Sequence, residues 1–248
     1  QFLLPSRFRR EALLQQLDEG GLTEDEVPRD ILTVLLANRA DQDLDDDMIL
    51  REVAFFMQAG SHSSANALTH SFHEINEWCR RHPEDRARLL TDDHFLQRCV
   101  HESLRLHPAS PVAWRTASEA FSLPDGSDVA EGDSVVIDIM SANLEAPLFG
   151  EDAEVFNPHR TVAARIPPFG LSFGIGIHTC FGRDIAGGLG DAKTKGEAPH
   201  LGTLTNLLKN LMQHDARPDP ANPAVADAGT KRPNWGSYPL MIGQRTTH

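Results

Sequence analysis

The stretch "FGIGIHTCFG", residues 173–182, decides how the rest of this 248-residue chain is read. Three glycines and two phenylalanines surround one cysteine, Cys180, in a run too rich in glycine for a helix interior. Gly174, Gly176 and Gly182 let the backbone turn tightly and bring its N–H groups close to the sulfur. "CFGRDIAGG" can open a helix just past Cys180, and the positive end of a helix favours an anionic sulfur. Phe173 can lie against that sulfur and exclude water, and His178 offers a donor to an anionic substituent. A lone thiolate so placed suits haem iron. The competing readings are an ordinary buried thiol and a zinc site through His178 and Cys180. The second lacks a further Cys or His pair at ligand spacing.

Composition narrows the function classes. Lys and Arg number 23 against 36 Asp and Glu, a net charge of −13, which argues against a nucleic-acid phosphate backbone as partner. With 40% hydrophobic residues the chain can bury a core. The longest apolar runs, such as "VAFFM" at 53–57, are far too short to cross a bilayer, so no membrane span is expected. No signal-peptide pattern is visible, although the sequence opens at Gln1 rather than Met. Cys79, Cys99 and Cys180 make no disulfide framework, which points to a reducing cytoplasm.

Along the chain, helical patterns come first. "FRREALLQQL" (8–17) reads as an amphipathic helix stopped by Gly20 and Gly21. A second helix is expected over 23–39, with Thr23 and Glu26 spaced as a capping box. The acidic run "DQDLDDD" (41–47) leads into a long helical pattern over 48–82, interrupted only at Gly60 and its serine-rich neighbourhood. Another helix, 92–107, ends at Pro108. Short β segments follow at 111–117, 120–129 and 133–140, then an irregular Pro-rich stretch to Pro168. Pro218, Pro220, Pro223 and Pro233 exclude a long helix near the C-terminus. The fold class is mainly α, of α+β type.

Four stretches together resemble the cytochrome P450 family. Phe173-Gly-x-Gly-x-His178-x-Cys180-x-Gly182 is similar to its haem-ligand loop, and Glu102-Ser-Leu-Arg105 to its Glu-x-x-Arg helix motif. "FNPHR" (156–160) matches its Phe-x-Pro-x-Arg stretch, and "AGSHSS" (59–64) sits where the family carries its oxygen-binding helix motif. The resemblance implies the C-terminal portion of a cytochrome P450 fold: a long oxygen-binding helix, small β-sheets and the haem-ligand cysteine loop. It makes Cys180 the proximal ligand of the iron of haem b, and pairs His178 and Arg115 with the haem propionates. Glu102, Arg105 and Arg160 become a buried structural ion-pair triad. By the same resemblance, Gly60, His62 and Ser63 belong to the oxygen-activating motif. Ala59, Val112, Ala113 and Leu240 line the substrate pocket.

The activity implied is a bacterial-type, soluble monooxygenase. It would insert one atom of O2 into a small hydrophobic organic substrate, with electrons from a separate ferredoxin or flavin-containing reductase. Two other readings stay open: a peroxide-driven haem-thiolate enzyme, and a non-catalytic degenerate haem-binding fragment. Residues 1–248 are expected to form a partial domain lacking the N-terminal helices, since only about 47 residues precede the oxygen-binding helix. His62 and Ser63 stand where the family places an acid and a threonine. His62 either passes protons near neutral pH or faces away and packs. A second departure is "GGLGDAKTKGEAPHLGT" (187–203), where Gly187, Gly188 and Gly190 break the helix after Cys180 before "LTNLLKNLMQH" resumes one.

Other candidate ligands have plainer readings. Cys79 and Cys99 are expected to pack on helices, His70 and His73 to face solvent, and Trp78, Trp114 and Trp235 to serve packing. The acidic run resembles a calcium loop but carries Asp46 where the required glycine belongs, so it reads as a solvated, helix-capping run.

Overall fold

Helix α1 (Leu3–Asp18) opens a chain that the computed structural model describes over residues 3–189 and 200–243. Gly190 and most of the 187–203 stretch therefore lie outside the described residues. The chain divides into two compact units, residues 1–62 and 63–248.

In the first unit the helix expected over 23–39 is two separate elements. The capping box does form, with Thr23 N–H donating to Glu26 Oε2 at 2.9 Å, but it closes only a 3-10 turn, Glu24–Glu26. Pro28 disfavours the helical conformation in the residue before it, and Val27 adopts φ −96°, ψ 130°. Helix α2 (Ile31–Ala37) then starts afresh on its own cap, Asp30, which accepts the Thr33 N–H at 2.8 Å. Leu32, Leu36 and Ile49 form this unit's small core, packed by Leu14, Leu35, Leu44 and Val53. The acidic run behaves as a cap: Asp45 accepts the Met48 N–H at 2.7 Å, and Asp46 pairs with Arg7 at 2.6 Å. α1 runs back to Leu3 and buries none of its residues fully.

Helix α3 (Asp46–Arg81) supplies the last element of the first unit and the first of the second. It passes through Gly60 without a break, contrary to the interruption expected there. One glycine costs about 1 kcal/mol, which a helix of this length absorbs.

The second unit continues with α4 (Asp85–Thr91) and α5 (Asp93–Leu106), the latter capped by Asp92, which accepts the Phe95 N–H at 2.9 Å. Strands β1 (Val112–Thr116) and β4 (Ser134–Asp138) pair antiparallel, with the β2 (Phe121–Ser122) and β3 (Asp128–Val129) hairpin between them. Short helices α6 (Ile139–Asn143), α7 (Ala146–Phe149) and α8 (Arg183–Gly187) precede α9 (Gly202–Gln213). The proline-rich end holds two minimal strand pairs, β5 (Arg217–Pro218) with β8 (Leu240–Met241) and β6 (Val225–Ala226) with β7 (Trp235–Ser237). Phe72, Ile75 and Trp78 of α3 share the main core with Phe95 and Val100 of α5 and Leu204 and Leu208 of α9. Cys79 and Cys99 are buried in that core, as the sequence suggests, and burial pushes the Cys79 thiol up to about 11.

Three aromatic or histidine expectations change. His70 does not face solvent; it is buried and stacked on His107, ring centroids 4.3 Å apart. His73 is half-buried and hydrogen-bonded to the Tyr238 hydroxyl at 2.9 Å. Both follow from α3 being covered here by the end of α5 and the 234–238 segment. Trp114 is 66% exposed on β1, opposite Val136, and does no packing comparable to that of Trp78. Trp78 donates its Nε1–H to the buried Asp85 carboxylate at 2.8 Å, which His159 Nε2 also contacts at 2.8 Å. Among the described residues no helix is long and apolar enough to cross a membrane.

Candidate functional site

The glycine-rich stretch folds as a tight loop tied across its base. Cys180 N–H donates to Phe173 O at 2.8 Å, and Gly174 N–H to Leu171 O at 2.8 Å. Gly174 takes φ +66°, where a Cβ would also lie 2.7 Å from His178 O, so only glycine fits. Gly176 (φ +63°) starts the 3-10 turn Gly176–His178, and a Cβ added at Gly182 would lie 3.8 Å from the Cys180 sulfur. The loop presents Cys180 and His178 to the exterior together with Ile177 and Phe181, which are 96% and 94% exposed. Phe173 points its ring at Phe169, edge to face at 5.0 Å, and at Gly187.

Behind the loop stands a buried ionic cluster. Arg105, fully buried, donates from Nη2 to Glu102 Oε1 at 2.7 Å and from Nε to Oε2 at 2.8 Å. Arg160 Nε reaches the same Oε1 at 3.0 Å, and Asn157 N–H adds a contact at 3.1 Å. The remaining donors of both arginines are spent on carbonyls: Asn143 and Ala153 for Arg105; Phe149, Asp152 and Val155 for Arg160. Arg160 also pairs with the Asp152 carboxylate at 2.6 Å. Every buried charge here has a partner, the condition under which such a cluster can exist. Asn143 extends the network toward the loop, donating to Arg105 O and Ser172 Oγ and accepting the Leu171 N–H at 2.7 Å.

Past Cys180 the expected helix is short. α8 ends at Gly187, and Gly188, at φ +77°, turns the chain away. Gln97 and His101, both buried on α5, hold this end: Gln97 Nε2 donates to Gly187, His200 and Leu201 carbonyls at 3.2–3.3 Å, and His101 Nε2 to Gly187 O at 2.8 Å. Leu189 N–H donates to His200 O at 2.7 Å, so the chain leaves and returns at one point. A cavity of about 670 Å³ lies between α5, residues 164–169, the loop and α8, and Arg98, Arg165 and Arg183 are in its wall.

The other candidates are distributed more widely. Arg115, half-buried on β1, donates to Trp114 O at 2.7 Å. Val112 and Ala113 precede it on the same strand, and Leu240 lies on β8. Ala59, Gly60 and His62 are exposed on α3 in the first unit, and Ser63, half-buried, begins the second.

The residue types at the loop fit a haem group. One exposed sulfur stands among exposed apolar side chains, a donor and a surface that suit a haem iron and its ring. Among the described residues no group of three or more His, Cys, Asp or Glu could chelate a bare metal ion.

The sequence profile of the cytochrome P450 family matches residues 7–187, more than half of the chain. The chain belongs to the cytochrome P450 family. Similar curated proteins include human cytochrome P450 4F11, 30% identical over 182 residues (63% of this chain, 34% of that one). Another is cytochrome P450 monooxygenase FPY7 of Fusarium mangiferae, 29% identical, covering 72% of this chain and 34% of that one. Among solved structures, CYP102L1 aligns with TM-score 0.67 at 20% identity, covering 96% of this chain and 55% of that one. CYP109E1 of Bacillus megaterium in complex with corticosterone gives TM-score 0.67 at 20% identity, covering 96% and 58%. At that identity the likeness shows the P450 fold. The chain spans about a third of the length of the curated relatives it matches.

Several residues that shape this P450 site carry no signal in the sequence. Asn143, Asp152, Gln97 and His101 are polar residues whose partners are mainly backbone carbonyls or distant arginines. Only Gly170 hints at one of them: its Cβ would lie 2.2 Å from Asn143 Oδ1.

Proposed function

We propose that this chain is the haem-bearing part of a cytochrome P450 monooxygenase, with residues 1–248 forming a portion of one P450 domain. The observation that carries the reading is the 173–182 loop, in which glycine geometry and the Cys180-to-Phe173 hydrogen bond present one exposed sulfur among apolar side chains. When bound, haem b supplies the binding and reductive activation of O2 at its iron. Cys180 would hold the iron as a thiolate, while His178 and Arg115 would donate hydrogen bonds to the propionates. Gly174, Gly176 and Gly182 keep the loop's turns, and Phe173 braces it from within. The Glu102, Arg105 and Arg160 cluster fixes the backbone behind the loop. On α3, Gly60, His62 and Ser63 would handle protons on the oxygen side, the Ser63 hydroxyl both donating and accepting. Ala59, Val112, Ala113 and Leu240, small or aliphatic, would line a pocket for a modest hydrophobic substrate.

Electrons would come from a separate ferredoxin or flavin-containing reductase. Arg98 and Arg165 in the wall of the cavity beside the loop, where Asp184 meets the charge of Arg183, support an acidic donor surface there. The three free cysteines support a reducing compartment, the cytoplasm. Likeness to the Bacillus megaterium structure favours a bacterial-type organisation, although curated relatives come from human and fungal sources.

The test is the reduced carbon monoxide spectrum of the haem-loaded enzyme. Cys180→Ser should lose the thiolate-type band while Cys79→Ser and Cys99→Ser keep it. A thiolate band surviving in Cys180→Ser overturns the reading. A peroxide-driven enzyme is the second reading, favoured by His62 standing in the acid's place. Turnover with peroxide, but none with NAD(P)H and a reductase, would select it.

A further inference from the structure

Helix α8 is the backbone that follows the cysteine, and at five residues it has little stability of its own. Its first turn is joined to the ligand residue directly: Arg183 N–H donates to Cys180 O at 3.2 Å, and Ala186 N–H to Gly182 O at 2.8 Å. A helix end leaves carbonyls without intrahelical partners. Here the Gly187 carbonyl is taken by two side chains of α5. His101 Nε2–H donates to it at 2.8 Å and Gln97 Nε2 at 3.3 Å. The same imidazole stands edge to face on Phe169, centroids 5.4 Å apart at 81°. Phe169 in turn meets Phe173 at 5.0 Å and 88°. Phe173 is the residue whose carbonyl accepts the Cys180 N–H. Gly187 closes the circuit, since a Cβ there would lie 3.3 Å from the Phe173 ring and 3.9 Å from His101 Nε2. One buried ring therefore touches both chain segments that enter and leave the cysteine: the 169–173 side through Phe169, and the α8 side through Gly187.

We propose that His101 is a positioning residue of the thiolate loop, setting the backbone around Cys180 through its hydrogen bond to Gly187 O and its contact with Phe169. This rests on the reading of Cys180 as the haem ligand. Hydrogen bonding and burial around a ligating sulfur set the potential and the ligation state of the iron. A shift of α8 or of Phe173 reaches both. Burial lowers the pKa of His101, which keeps the ring neutral and suits a single Nε2–H donor.

Three forms of the haem-loaded enzyme are compared by the reduced carbon monoxide spectrum and by the iron reduction potential. His101→Phe keeps a ring against Phe169 but removes the donor. His101→Gln restores a donor near the Nε2 position. Asp85→Asn weakens the fold through α4 and leaves the loop alone. Expected is a larger non-thiolate fraction and a shifted potential in His101→Phe, both reversed toward wild type in His101→Gln and both unmoved in Asp85→Asn. A wild-type band and potential in His101→Phe overturn the proposal, as does equal behaviour of the Phe and Gln variants. If His101→Phe fails to hold haem, Phe169→Leu loosens the other contact of the ring with the donor intact, and an unmoved band and potential there overturn it. Absence of a thiolate band from the wild-type enzyme would instead defeat the parent reading.

Discussion

Arg160 reaches back 58 residues to set its Nε 3.0 Å from Glu102 Oε1, the oxygen that Arg105 holds at 2.7 Å. The pair joins α5 to the Phe-x-Pro-x-Arg stretch where both side chains are almost fully buried. Arg160→Ala removes donors from three carbonyls and leaves Glu102 with a single cation. The expected loss is about 3–5 kcal/mol, read as a lowered midpoint in urea unfolding. Arg160→Lys should recover only part of it, because an ammonium cannot reproduce the planar fork.

Acid should weaken the fold through His70. Burial, then the facing His107, pushes its pKa from 6.5 down to about 4, against weaker opposing effects of Asn234 and Glu74; His73 adds to the lowering. Between those values the unfolded chain binds the proton and the folded one does not. Stability is therefore full above about 6.5 and falls as pH drops toward 4, by on the order of 2 kcal/mol. His70→Phe keeps a ring for the His107 stack but cannot titrate. Urea midpoints across this window should decline more steeply in wild type than in the variant; parallel curves would refute the assignment.

Two glycines should respond in opposite directions to alanine. At Gly174 a Cβ would need φ +66° and would approach His178 O to 2.7 Å, so Gly174→Ala should cost roughly 2 kcal/mol or more. Gly60 lies in a helix with open space around a Cβ, so Gly60→Ala should stabilise by about 1 kcal/mol. Unfolding midpoints of the two variants provide the comparison.

If Ser63 and His62 serve proton delivery, Ser63→Ala should divert reducing equivalents to peroxide. His62→Ala should slow coupled turnover. Product formed per NAD(P)H consumed is the measure. Unchanged coupling in both variants would remove the pair from the mechanism.

Legibility in the sequence followed the range of the forces. The helix over 92–107 and the short β segments between 111 and 140 could be read because they depend on neighbours in sequence. The capping box at Thr23 was readable too, but its reach was overestimated because Pro28 cut the helix. The cysteine loop was visible because φ > 0 demands glycine at fixed positions. His70 and Trp114 were misplaced for the opposite reason: which elements cover α3 and β1 is a tertiary fact. Asn143 and His101 were invisible, since a polar side chain that bonds a distant carbonyl leaves no pattern beside it.

The hydrogen bond from Leu189 to His200 has a consequence for the helix ends around it. It ties the residue two places past α8 to the residue two places before α9, and Gln97 of α5 donates to the His200 and Leu201 carbonyls at the same spot. Three helices thus share one small knot of hydrogen bonds, and none of their ends there can move alone. Loosening the knot from one side, as Gln97→Leu would, should be felt at the end of α8 and the start of α9 together.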